Sequence, residues 1–366
     1  MKLIFNPLLI FSLLLVASCS HTNNNTIIDE GQSVIEYPNP KSKTVLMCKA
    51  EPWELRDTIQ WQTTYSNIDV FKFYIGGLSD TRYSLEEKQQ FIKVLQDKKI
   101  KIAVELGGLL SGFHDSGSQA AELSFQSDMK KIEFLVKPIS EGGLGATLDM
   151  IDMDGPLRRI LFPDKQTPSP YQNIELAIGE LLDVVALWKD KFPQLKVNYL
   201  VNFPNWGWKG GYAYLHKNYD GGEMGYGDFS IVLSKIITQA TARGVKIDAL
   251  TIDNPYDYAT GQAASNQSHL IQDIDWIERI KELEVSVKNE GWDVNLIFNS
   301  SSGGKSSNEN YYNDTMSYIE LYENNGGNPD GYWVQSWYPF PSVWMPETTS
   351  FTMTNLTNSV LKKVKN

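Results

Sequence analysis

Eight short apolar runs, each followed by a stretch with helical spacing, recur along the chain at nearly even intervals. Such alternation implies parallel strands joined by crossover helices. Right-handed crossovers repeated eight times close a sheet into a ring. The fold class expected is therefore α/β, a single (β/α)8 TIM barrel. Strands are expected at Thr44–Ala50, Asp69–Ile75, Ile100–Leu106, the stretch Ala146–Pro156, Leu195–Val201, Lys246–Ile252, Asp293–Phe298 and Gly331–Trp337. The main rival is an open doubly wound sheet. No Gly-x-Gly-x-x-Gly opens a helix after the first strand, so a dinucleotide fold has no support. Ser84 with Glu87 three residues on predicts a capped helix start. Leu85, Phe91, Ile92 and Leu95 then fall on one helix side. Further helices are expected over 119–138, 171–192, 228–244, 269–289, 308–323 and 355–364.

The first residues read as a targeting signal. Lys2 is followed by an apolar run from Leu8 to Ala17, short for a membrane span. It ends in Leu15-Val16-Ala17-Ser18-Cys19. This resembles the lipobox of bacterial lipoproteins, which implies lipidation of Cys19 and a membrane anchor there. The alternative is a plain secretory signal. No Asp follows Cys19, which by analogy with bacterial sorting points to the outer membrane. The organisation expected is a signal over 1–18, a polar tether over 19–42 and the barrel over 43–366. With Cys19 lipidated, Cys48 is a lone thiol in a strand-like run and reads as a small buried hydrophobe.

The formal net charge is −11, so nucleic acid is excluded as a partner. Ten Trp and eighteen Tyr exceed what a core needs, and stacking on sugar rings accounts for part of that. Barrel active sites sit at the C-terminal strand ends. Here those ends carry Glu105, Asp152, Asp154, Asn202, Asp253, Asn299, Gln335, Trp337 and Tyr338. None is Lys, His or Cys. Acids suit proton transfer and nucleophilic work on glycosidic bonds. Asp152 and Asp154 share a strand face, and Asp149 takes the other. Like charges crowded at one rim repel unless a cation or substrate uses them. A Ca²⁺ or Mg²⁺ site in these acids is a minor alternative. The run Ser300-Ser-Ser-Gly-Gly304 is a minor candidate for phosphate. The aromatic loop Asn205–Tyr226, with Trp206 and Trp208, reads as a substrate wall or as a lid packed for stability.

Asp149-x-x-Asp152-x-Asp154 resembles the fourth-strand signature of family 18 glycoside hydrolases, the chitinases. Trp337 fits the Trp at the floor of that family's sugar site. The family's catalytic Glu falls on Pro156, which cannot donate a proton. A second resemblance is to retaining α-glycosidases, such as the α-galactosidases, with acids at strands four and six. It implies Asp152 or Asp154 as nucleophile or base and Asp253 as acid, with Glu105 in reserve. The expectation is a lipid-anchored glycoside hydrolase acting on a poly- or oligosaccharide, with no cofactor. The alternative is a catalytically inactive barrel that binds glycan.

Overall fold

The structure is a computed structural model describing residues 43–109, 119–161 and 173–365, apart from 212, 214, 215, 218–222, 225 and 264–273. For 216, 217, 223 and 224 it describes the backbone alone. The signal, Cys19 and the tether lie outside the described residues. No described helix is long and apolar enough to cross a membrane.

Eight parallel strands form a closed ring. They are β1 (Thr44–Lys49), β2 (Val70–Tyr74), β3 (Lys101–Leu106), β4 (Met150–Asp154), β5 (Lys196–Asn202), β6 (Ala249–Asp253), β7 (Asp293–Phe298) and β8 (Gly331–Ser336). Each pairs with its neighbours in sequence, and β1 pairs with β8 from Thr44↔Gly331 to Lys49↔Ser336. Closure leaves no open sheet edge. The (β/α)8 expectation therefore holds, and the doubly wound rival falls.

Eleven α-helices occur among the described residues. They are α1 (Gln62–Asn67), α2 (Leu85–Asp97), α3 (Ala120–Val136), α4 (Pro156–Leu161), α5 (Ile174–Lys191), α6 (Phe229–Arg243), α7 (Tyr256–Ala259), α8 (Trp276–Asn289), α9 (Ser301–Ser306), α10 (Asn308–Asn324) and α11 (Met353–Lys365). Ser84 and Glu87 form the expected reciprocal cap on α2, at 2.9 and 3.2 Å. Leu85 differs from the expectation. It sits at the first helical position and is exposed. The short helices α4 and α9 were not expected, since six residues give too little periodicity to read.

The barrel has two apolar layers, set by the period-two alternation of strand side chains. Phe71, Phe73, Val104, Ile151, Val197, Ile252, Phe298 and Val334 face outward and pack with the helices. Leu46, Cys48, Val70, Ala103, Met150, Leu200, Ile297 and Trp333 form a separate cluster inside the ring.

The lower rim is tied by one device used four times. Asp69, Asp149, Asp248 and Asp330 each stand just before an even-numbered strand. Their carboxylates accept the backbone N–H of Val45, Ile102, Val197 and Val294 on the preceding odd strands, at 2.8, 2.8, 2.8 and 2.9 Å. Their own N–H groups donate back to the carbonyls of those same four residues. Their carbonyls then accept from the next odd strand: Lys101, Lys196, Asp293 and, across the seam, Thr44. Asp149 thus lies at the end opposite the mouth, because it precedes the first residue of β4. A hydrogen bond to a charged group contributes about 1.5–3 kcal/mol. Asp149→Ala or Asp248→Ala is expected to cost that much in urea unfolding. Asp97→Ala, an exposed change at the end of α2, should stay within about 0.5 kcal/mol.

Candidate active site at the barrel mouth

The C-terminal rim brings Glu105, Asp154, Asn202, Asp253, Asn299 and Gln335 to the mouth of one barrel. Asp253 ends β6 beside Asn202 of β5 and is only 4 % exposed. The Asn202 amide donates to its Oδ2 at 3.3 Å, and the Asn299 amide reaches its Oδ1 at 3.5 Å. Burial pushes the Asp253 carboxyl up to about 8, helped by the negative charge of Asp154 and opposed by Asn299. It therefore holds a proton at neutral pH, as a general acid must.

Asp154 is the accessible carboxylate, with its side chain 34 % exposed. Arg159 of α4 pairs with it and also donates Nε to its backbone carbonyl at 2.7 Å. Position 156, where the chitinase pattern has its acid, is the buried first residue of α4. A pocket of about 220 Å³ opens beside Asp154, lined by Arg158, Arg159, Asn202, Asn205, Trp206 and Tyr226. Arg158 donates Nε to the Tyr226 hydroxyl at 2.8 Å. A larger groove, of about 710 Å³, lies at the opposite end, between the C-terminal ends of α3 and α5.

Asp152 lies one layer deeper and is fully buried. Its Oδ2 accepts from Lys72 Nζ at 2.8 Å. Lys72, on β2, also donates to Glu105 Oε2 at 2.6 Å and sits 4.6 Å from the centre of the Trp333 ring. Burial opposes the charge on Lys72, but Asp152 and Glu105 outweigh it and hold the ammonium form. The crowded acids thus have their cation, and it is a side chain. No Lys was expected in the site, because Lys72 lies two residues below the end of β2. The signal was in Val70-Phe-Lys-Phe-Tyr74, where alternation against two outward phenylalanines turns the lysine inward.

Glu105 completes the floor, 12 % exposed by side chain, and takes the Gln335 amide at 2.7 Å. Burial pushes it up to about 7, with Lys72 pulling the other way. Among the described residues no group of His, Cys, Asp or Glu is arranged to hold a metal ion.

The aromatic residues divide. Trp206 is buried against Tyr226 and Phe229, each 5.4 Å away, and still lines the pocket. Trp208 is packed into the fold, with Nε1 donating to Glu282 at 2.7 Å and its ring edge-on to Phe203. Tyr212, Tyr214 and Tyr219 lie outside the described residues. Trp337 is 39 % exposed on the rim, 5.1 Å from Tyr338. The tryptophan inside the barrel is Trp333. Tyr338 packs over Gly304, where a Cβ would come within 2.5 Å of its ring. The phosphate reading of 300–304 fails. Those residues start α9, whose first N–H groups are taken by Ser300 Oγ and the Asp257 carboxylate.

No family model matches the chain, and no curated protein matches it in sequence. Solved structures resemble the barrel at low identity. Active domain 2 of a chitinase from Pyrococcus furiosus is 11 % identical over 90 % of this chain and 98 % of that one, with TM-score 0.43. A psychrophilic family 10 endo-β-1,4-xylanase is 8 % identical over 88 % and 96 %, with TM-score 0.45. A deoxyribose phosphate aldolase from Aeropyrum pernix is 13 % identical over 80 % and 84 %, with TM-score 0.37.

The raised Asp253 has a sign that can be measured. An unfolded Asp ionises near 3.9, so the folded chain binds the extra proton between there and about 8. Its stabilising contribution is complete at low pH and is lost as pH rises through that window. Asp253→Asn is expected to remove this slope. At pH 8 it should be stabilised relative to wild type, compared with pH 5, by on the order of a few kcal/mol in urea titrations.

Proposed function

We propose that the chain is a glycoside hydrolase acting on a poly- or oligosaccharide. Asp253 is the proton donor and Asp154 the base or nucleophile. The observation that carries this reading is the contrast between two neighbouring carboxyls. Asp253 is buried between two amides and keeps its proton to about pH 8. Asp154 is open to solvent and paired with a guanidinium. Pairs whose environments separate their protonation are how acid and base roles are divided at neutral pH. Asn202 supplies an amide at the mouth, Asn299 and Gln335 are buried beneath it and hold Asp253 and Glu105, and Trp337 and Tyr338 supply rings for the apolar faces of sugars. Lys72 is unsuited to Schiff-base chemistry, since an amine held between two carboxylates stays protonated.

A second reading is a barrel that binds glycan without cleaving it. The engagement of Asp154 by Arg159 and the proline at 156 favour it. Asp154→Asn and Asp253→Asn should each lower kcat about 10²–10⁴-fold on a glycan panel while both proteins stay folded. Unchanged turnover in both removes the assignment. Binding without product release by wild type moves it to the second reading.

The reading includes an anchor: Cys19 carries lipid and holds the barrel at the outer membrane of a bacterial envelope, supported by the run Leu15–Cys19. Labelling with radioactive palmitate should mark the wild-type chain and not Cys19→Ala. Label on both proteins, or on neither, counts against the anchor.

A further inference from the structure

Lys72 is the one cation of the interior described above to which the hydrolysis scheme gives no task. It joins β2 to β3 and β4 through Glu105 and Asp152, and lies over Trp333 of β8. One oxygen of Glu105, Oε2, takes both Lys72 and the Gln335 amide. The carboxyl is thereby fixed in two directions while part of it faces the mouth. Among the described residues, the other titratable groups around this cluster are Cys48 on β1, Tyr74 on β2, Asp154 on β4 and Asp253 on β6, with Tyr258, Tyr311, Tyr318 and Tyr338 about Asp253. Burial raises both the Cys48 thiol and the Tyr74 phenol, so neither brings charge. Among the described residues, the charged groups at the mouth are Lys72, Glu105, Asp152, Asp154 and Asp253, with Arg158 and Arg159 at the rim.

We propose that Lys72 is a positioning residue of the reaction: it holds Glu105 as a carboxylate on the floor of the site, where that fixed negative charge offsets positive charge developing on the sugar and keeps the proton on Asp253. The proposal rests on the glycosidase reading of the mouth. Glycosidic cleavage passes through an oxocarbenium-like state, which a nearby carboxylate stabilises. The two ionisations then frame the activity. Glu105 must have lost its proton, which Lys72 favours against burial, and Asp253 must still hold its own, which burial favours. A bell-shaped kcat/KM framed by these two ionisations is expected.

Lys72→Met removes the main influence holding Glu105 down. The acid limb should move up by about one pH unit or more, with kcat/KM at pH 7 falling about tenfold. A purely structural role would lower activity without moving the limb. Because Lys72→Met leaves two buried carboxyls without their cation, the paired variant Lys72→Met/Asp152→Asn is measured beside it. That variant removes one charge of each sign and still strips Glu105 of its partner. An unmoved acid limb in these variants overturns the proposal. Carbon-13 NMR of the carboxyl groups reads the same point without turnover. In wild type Glu105 should titrate below Asp253, and the reverse order overturns the proposal whatever the variants do. If that order holds but no glycan is cleaved, the glycosidase reading fails and the Lys72–Glu105 linkage stands.

Discussion

An ammonium group held between two carboxylates inside a closed barrel is the constraint on which the rest of this structure depends. Lys72, Glu105 and Asp152 come from three adjacent strands and meet where Trp333 also points inward. Removing one partner of such a cluster leaves an uncompensated buried charge, which is strongly destabilising. The cluster therefore demands the register of β2, β3 and β4: a slip by one residue would turn these charges toward the apolar layer under the helices.

That demand also sorts the acids of the mouth. Asp152 is consumed as counter-ion and has no surface to offer. Glu105 is shared between the ion pair and the opening. Asp154 and Asp253 stand above the cluster with opposite environments, one solvated and ion-paired, the other enclosed and flanked by amides. Four carboxyls that look alike in sequence become a counter-ion, a floor charge, an open carboxylate and a proton carrier. Burial and the partner each carboxyl meets make the difference. Loss of water removes the ability to carry charge without a partner.

The barrel was legible because its signal is redundant: eight alternations survive an error in any one, and the strand bounds fell within a few residues of those observed. The identities at the strand ends were legible for the same reason, since period two fixes which residues share a face. Lys72 is hidden from a reading of the strand ends, because the compensating cation sits a layer below them. Trp333 and Trp337 are four residues apart on one strand and its exit, so both satisfy alternation, and only depth separates them. Arg158 and Arg159 lie on a helix too short to announce itself. Charge pairing across strands could be posed as a question from sequence, but the partner could not be named, because contact between β2 and β4 side chains depends on the curvature of the closed ring.

The four aspartates of the lower rim carry a consequence for how the ring assembles. Three of the four loops between an aspartate and the odd strand it caps are shorter than fifty residues, and the fourth is 51. Each cap closes within a unit of two successive strands, so its loop-closure entropy is modest. The onward bonds from Asp69, Asp149 and Asp248 join each unit to the next in sequence. Of the backbone bonds these four aspartates make, the one from Thr44 to Asp330 spans nearly the whole described chain. The barrel is thus four locally sealed quarters with one distant seam. With the present ends joined, new chain ends opened between quarters would leave every cap inside a continuous segment, whereas ends opened within a quarter would make that quarter's own cap the long-range closure.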